Sequence, residues 1–170
     1  LFALGLADQD LRLVSEYGFL SLKPAVVAIQ KEPEKPLPID LVAGDFQLAL
    51  EMSNLPENER EEMASELGIT NPVPELFSKL YKAAGLIHFF TPGPKEVRAW
   101  NLRQGAKAPE AAGRIHTDME RGFIRAMVAR WDAVVSAGGW EAAKKTGAVQ
   151  KEGKDYIVQD GDVLEVLFSK

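Results

Sequence analysis

The stretch HTDMERGFIRA, His116 to Ala126, decides how the second half of this 170-residue chain is read. It carries an acid pair, Asp118 and Glu120, three bases, His116, Arg121 and Arg125, and one glycine, Gly122. It is too polar for a core segment. The sequence before it is helical, with Pro109 opening a short helix from Ala108 to about Ile115. The sequence after it, FIRAMVARW, alternates as a half-buried strand does. The stretch therefore reads as a helix-to-strand turn. Thr117 or Asp118 would bond local backbone donors, and Gly122 would take a left-handed conformation. On a strand Phe123, Arg125, Met127 and Ala129 share one face, and Arg125 and Arg130 point opposite ways.

Working outward, LIHFF and EVRAWNL read as two strands joined by the turn TPGP. WDAVVSAGGWEAAKKTG is helical in two pieces, broken at Gly138-Gly139. KDYIV and DVLEVLF read as two closing strands, with QDGD and its Gly161 as a hairpin turn between them. The order is strand, strand, helix, strand, helix, strand, strand. That is α+β, a four- or five-stranded mixed sheet crossed by a helix, on the plan of a ubiquitin-like β-grasp.

The first half has a different texture. Asp8 can cap a short helix through Leu6, Leu13, Val14 and Tyr17, ending at Gly18. The apolar run Ala25 to Ile29 suits a strand buried on both faces of a parallel sheet. KEPEKPLP must be an extended loop. IDLV is a second short apolar run, and Asp45 can cap the helix after it, which would bury Phe46, Leu50 and Met52. Pro56 and Gly68 bracket a helix with Met63 and Leu67 facing the core, and with Glu57, Glu59, Glu61 and Glu62 at its dipole-favoured start. Pro74 starts a last helix, with Leu76, Phe77, Leu80, Tyr81 and Ala84 at three-four spacing, ending at Gly85.

Charge divides at the same glycine. Residues 1–85 hold 7 basic and 14 acidic residues, a balance of −7, while residues 86–170 hold 13 and 11, a balance of +2. The shift marks a domain boundary at Gly85. The net charge of −5 argues against a protein that coats polyanions. Without cysteine, disulfides and thiolate zinc sites are excluded, and two histidines cannot make a histidine-rich metal site. No apolar run approaches the roughly 20 residues of a membrane span. The chain opens without methionine or a basic leader, directly into helix-like sequence, as a piece of a longer cytoplasmic protein would.

Three motifs carry a resemblance. FFTPGPKEVRAW, GAKAPEAAGRIHTDMERGFIRA and EGKDYIVQDGDVLEVLF, in that order over residues 86–170, closely resemble the C-terminal domain of the Obg-like ATPase (YchF) family. That is the TGS domain, named for threonyl-tRNA synthetase, GTPases and SpoT. Upstream, GFLSLKPAVVAIQ resembles the family strand that leads into its base-reading motif. PELFSKLYKAAGLIHFFT resembles the helix that joins the nucleotide domain to TGS. The resemblance implies that residues 1–85 are the C-terminal portion of a P-loop nucleotide-binding domain, an α/β remnant, and that 86–170 are the TGS domain. It implies ATP or GTP with magnesium as the parent's cofactor and none for this chain alone. Two departures stand out. Gln30 occupies the place of a base-reading asparagine, with Pro33 near the expected acid, and Ala43-Gly44-Asp45 replaces a Ser-Ala-Lys-like loop. A carboxamide fitted to a base edge is not freely lengthened, since a lost bidentate contact costs about 1–3 kcal/mol. Gln30, Ala43 and Gly44 are thus the base-pocket candidates. Either the parent binds nucleotide differently or its site has decayed.

Within residues 86–170 three readings compete. Catalysis by His116 with Asp118 lacks a nucleophile and a pocket in the sequence. A purely structural turn needs only the local hydrogen bonds already named. Docking on the ribosome or structured RNA would use Lys95, Arg98, Arg103, Lys107, Arg114, His116, Arg121 and Arg125 on phosphates. Trp100 and Trp131 could stack bases or simply fill core, and Trp100 or Phe123 could support the surface from beneath. A protein-interaction module, meeting another protein or the parent's own nucleotide domain, is the further alternative, as is an active ATPase or GTPase in the full-length parent. Asp160 and Asp162 around Gly161 read as a turn, because two carboxylates are an incomplete calcium ligand set.

Overall fold

A computed structural model of the chain describes residues 10, 13–14, 16–35, 37, 39–93 and 96–169. It divides into two compact units, Leu1–Ala84 and Gly85–Lys170. The helix expected from Asp8 to Gly18 falls mostly outside the described residues.

In the first unit the two apolar runs become short strands, β1 (Val27–Ile29) and β2 (Leu41–Ala43), paired in parallel with Val27 opposite Leu41. Three helices follow: α1 (Phe46–Ser53), α2 (Glu57–Leu67) and α3 (Val73–Ala83). Asp45 caps α1 as its sequence position requires, accepting Leu48 N–H at 2.8 Å. Gly68 ends α2 in the left-handed conformation at φ 62°. Burial departs from expectation. Val42, Met52 and Pro72 are the buried apolar side chains among the described residues of this unit, whereas Leu50, Met63, Leu67, Phe77 and Leu80 are exposed. β1, expected to be covered on both faces, exposes Val27 and Ala28. Two three-residue strands offer too little surface to cover the helices, so the apolar side chains of α1 and α3 stay open.

In the second unit alternation works as it should. β3 (Leu86–Pro92) and β4 (Val97–Arg103) form an antiparallel hairpin, with Phe89 opposite Trp100. α4 (Ala108–Ile115), α5 (Thr117–Arg121), β5 (Phe123–Arg130), α6 (Trp131–Ala137), α7 (Trp140–Lys145), β6 (Gln150–Glu152) and β7 (Asp162–Phe168) complete it. The sheet order is β4-β3-β7-β5-β6, mixed, with β7 parallel to β3 and antiparallel to β5. One face packs Ile87, Phe89, Leu102, Phe123, Ala126, Val128 and Leu164 against α4. Ala108, Ala111 and Ala112 are fully buried there; their small side chains let the helix backbone lie close to the sheet.

Four sequence expectations need correction. The helix-to-strand turn contains a helix of its own, α5. The closing hairpin does not exist, because β6 and β7 flank β5 on either side. KDYIV is not a strand of the sheet. Its backbone is spent along the start of α4, with Ala108 N–H donating to Tyr156 O at 2.9 Å and Val158 N–H to Ala106 O at 3.0 Å. Finally, β5 bulges. Its register against β7 shifts between Phe123 and Arg125, so Ile124 is the extra residue. Phe123 therefore joins Ala126 and Val128 in the core and leaves the face of Arg125.

Asp162, at the head of the central strand, is 1% exposed. Its Oδ2 accepts Tyr156 O–H at 2.7 Å and Gln159 N–H at 2.8 Å, and its Oδ1 lies 3.7 Å from Arg130 Nη1. Just before it, Asp160 Oδ1 accepts His88 N–H and His88 O accepts Gly161 N–H, both at 2.8 Å. Asp160 ties the loop to β3 and Asp162 ties it to the head of β7, and among the described residues no group of three potential metal ligands occurs.

Substituting Asp162→Ala leaves two donors without their acceptor and is expected to cost about 2–4 kcal/mol. Urea unfolding followed by tryptophan fluorescence checks this, since all three tryptophans lie in this unit. Burial, then the hydrogen bond to Asp162, holds the Tyr156 phenol well above its ordinary range. The folded state thus keeps a proton that the unfolded state releases above about pH 10. Stability is complete below that pH and falls as pH rises beyond it. Tyr156→Phe should remove both this alkaline slope and the late step in an ultraviolet titration of the folded protein.

Candidate functional site

The C-terminal ends of parallel strands are where open α/β sheets receive ligands. Gln30, Ala43 and Gly44 meet at that end of β1 and β2. Gly44 N–H donates to Ile29 O at 3.2 Å, bridging the two strands past their last paired residues. A side chain at Gly44 would run into the ring of Pro72, at 2.5 Å from its Cβ, so only glycine fits the packing there. Gln30 Nε2 donates to Asp45 Oδ1 at 2.8 Å, the same oxygen that caps α1. Sequence reasoning found Asp45 as a cap and missed it as the partner of Gln30; a shared acceptor fifteen residues away leaves no local pattern. The amide that would meet a base edge is thus committed within the chain. In this conformation the Gln30 carboxamide is held by the α1 cap.

The bases of the second unit separate into those already engaged and those that are not. Lys95 lies outside the described residues. Arg98 pairs with Glu96 at 2.8 Å and lies over the Trp100 ring at 5.6 Å. Lys107 pairs with Asp155 at 2.7 Å, and that hydrogen bond raises its ammonium pKa above the usual value. Arg114 Nε donates to Asn101 O on β4 at 3.0 Å. His116 caps α5, its Nδ1 accepting Asp118 N–H at 3.1 Å. It performs the local bonding expected of Thr117 or Asp118.

Arg103, Arg121 and Arg125 are exposed, and their side chains make no ion pair or hydrogen bond with the described residues. Topology parts them. Arg103 pairs with Leu86, ahead of the point where Phe89 meets the start of β7. Arg125 pairs with Leu167, near the end of β7. Arg103 is therefore at the opposite end of the sheet, and Arg121 and Arg125 remain together. Arg121 lines an open cleft with His116, Asp118, Met119, Gly122, Phe168 and Ser169. Gly122 has φ −88°, not the left-handed value expected of it. Glycine is needed there for close approach instead. Its O accepts Ser169 N–H at 2.9 Å, and a Cβ would strike Ser169 O.

The tryptophans also divide. Trp100 stacks on Phe89 at 6.4 Å and donates Nε1–H to Thr91 Oγ1 at 3.0 Å, as part of the core edge. Trp131 is 50% exposed. Phe123 is buried beneath the sheet face that α4 covers. No helix among the described residues is long and apolar enough to cross a membrane.

Comparison with known proteins agrees with this architecture. The YchF-GTPase_C family model, described as a protein of unknown function (DUF933), matches residues 86–169. The ribosome-binding ATPase YchF of Escherichia coli O157:H7 is 35% identical over 183 residues, covering 98% of this chain and 50% of that protein. Its Bacillus subtilis (strain 168) namesake is 44% identical over 120 residues, covering 70% of this chain and 33% of that one. Obg-like ATPase 1 of Oryza sativa subsp. japonica is 35% identical over 180 residues, covering 95% and 46%. Among solved structures, the Schizosaccharomyces pombe YchF GTPase superposes with a TM-score of 0.84 at 25% identity, covering 95% of this chain and 48% of that one. The chain spans about half the length of the curated relatives it matches. With one mixed-sheet unit matched by the family model and nearly the whole chain aligned to these relatives, the chain is homologous to the C-terminal region of the YchF/Obg-like ATPases.

Proposed function

We propose that this chain is the C-terminal, TGS-containing region of a YchF-like nucleotide-dependent regulator, and that it docks on the ribosome or on structured RNA in the cytoplasm. The observation that carries the reading is its alignment, over 98% of its length, with a relative named as a ribosome-binding ATPase. Residues 86–170 are read as a β-grasp TGS domain, since a mixed five-stranded sheet is crossed by the alanine face of α4. Residues 1–85 are read as the C-terminal portion of the nucleotide domain. The open apolar side chains of α1 and α3 support that, because they call for a larger sheet than β1 and β2 provide.

In this reading the nucleotide domain is the switch, with ATP or GTP and magnesium as the parent's ligands, and the TGS domain is the contact surface. Hydrolysis needs a phosphate-binding loop of the G-x-x-x-x-G-K-[ST] kind, and these 170 residues contain none. This chain alone therefore turns over no nucleotide. Arg121 and Arg125 are the foremost phosphate contacts, being exposed, toward the same end of the sheet and uncommitted. Arg98, Lys107 and Arg114 contribute charge from positions held by internal bonds, and His116 lines the same cleft as Arg121.

Co-sedimentation of the chain with purified ribosomes across a salt series tests this. Binding should weaken steeply with salt, and Arg121→Ala with Arg125→Ala should flatten the logarithmic slope by about 0.7–0.9 per lost phosphate contact. A double variant that binds like the parent chain at every salt concentration removes these two residues from the surface. Absence of binding at low salt removes the docking role from this chain.

A further inference from the structure

The bulge in β5 decides which way its arginine looks. Past it, Ala126 and Val128 lie in the core, so Arg125 and Met127 share the sheet face away from α4. Met127 pairs with Lys151 of β6 and with Glu165 of β7, and Arg125 pairs with Leu167, which puts all of these on that face. Arg125 and Lys151 are then diagonal neighbours, with Cα atoms about 7–8 Å apart. Lys145 of α7 stands over the same face, lining a cleft with Glu165. Arg121 lies on the other side. Its cleft includes Phe168, which alternates with Leu164 and Val166 on the core side of β7.

The carboxylates near these cations already have a partner. Glu165 and Glu141 both meet the Lys144 ammonium, at 2.8 and 3.1 Å. Arg125, Lys145 and Lys151 are exposed and make no ion pair or hydrogen bond with the described residues. Three cations on one sheet face, with the local carboxylates neutralised, are complementary to a polyanion. The face also says which kind. Between the cations stand Met127 and Leu167, which cannot stack a base. Trp140, the aromatic residue beside Glu165, is engaged: it donates Nε1–H to Glu165 at 3.1 Å, and Lys144 lies over its ring at 5.6 Å. Half-exposed Trp131 sits against Gly161, at the opposite end of β7. Single strands are held by stacking on free aromatic rings, whereas helical RNA presents its phosphates.

We infer that Arg125, Lys151 and Lys145 form a strip that receives the phosphate backbone of a helical RNA segment, without reading its sequence. This rests on the docking reading proposed above and deepens it. Two lysines join the surface, and Arg125 acts with them on the face away from α4 while Arg121 acts on the core side. The contact therefore runs from the end of the sheet onto that face. Backbone contacts of this kind position a protein on RNA and carry no sequence information.

The probe is a mixed-sequence RNA duplex of about 16 base pairs, titrated with the 170-residue chain and followed by fluorescence anisotropy across a potassium chloride series. Two duplexes of unrelated sequence should bind alike. Lys151→Ala should flatten the logarithmic salt slope by about 0.9, one phosphate contact, and weaken binding at least about threefold at low salt. Lys151→Arg should restore both. Arg103→Ala, the same charge lost at the opposite end of the sheet, should change neither. If Lys151→Ala and Lys145→Ala bind duplex like the parent chain while Arg121→Ala with Arg125→Ala weakens ribosome binding, the strip is wrong and the docking reading stands. An oligouridylate of equal length that binds more tightly than the duplex overturns the helical partner. Polyglutamate of equal charge that displaces the duplex as well as unlabelled duplex does replaces RNA with an acidic protein segment and equally overturns it. Absence of both duplex and ribosome binding at low salt removes the strip and the docking reading together.

Discussion

A single buried carboxylate organises the second unit. Asp162 begins β7, the strand on which β3 and β5 both depend, and it gathers the Tyr156 hydroxyl, the Gln159 amide and the Arg130 guanidinium. A carboxyl group at 1% exposure is tolerable only because donors surround it. Asp160 completes the attachment by taking the His88 amide, so the loop that feeds the central strand is bonded to the strand it will lie beside. With β7 in place, α4 has a floor to pack on, and the end of the sheet that carries Arg121, Arg125 and the Ser169 contact is fixed in turn.

Much of this was legible in the residues, for local reasons. Asp45 as a cap, Gly68 as a helix stop, the Gly138-Gly139 break and the α4 helix all rest on interactions within a few positions of one another. What the sequence concealed was non-local. Lys154 to Val158 has the composition of a strand, yet Ala106 and Ala108 claim its backbone. The bulge at Ile124 leaves no mark in an alternating pattern, yet it moves Phe123 to the core and away from Arg125. Gly122 has the look of a turn glycine, and its lack of a side chain serves instead the approach of Ser169. In the first unit the periodicity of α2 and α3 marks faces built for burial, and Met63 and Phe77 remain exposed because two short strands cannot cover them.

The same contrast governs the candidate sites. Eight basic residues were indistinguishable as charges in a string. In three dimensions Arg98, Lys107, Arg114 and His116 have internal partners, and Arg103 is at the wrong end of the sheet. Lys95 lies outside the described residues, and Arg121 and Arg125 are left exposed and without internal partners among them, toward the other end of the sheet. Likewise Gln30 was suspect as a longer replacement for a base-reading amide. In the structure its carboxamide bonds Asp45, the cap of α1.

The strand order carries a kinetic consequence. β7 comes last of the seven strands among the described residues and lies at the middle of its sheet. The β3–β4 hairpin and α4 can assemble from neighbours in sequence, but β5 and β3 are joined only through β7. Contacts of such long sequence separation close slowly. During vectorial synthesis the hairpin therefore waits with its inner edge, the β3 side that β7 will occupy, unpaired. Folding of this unit becomes a single late insertion, and any delay at that step leaves a strand edge available to the wrong partner.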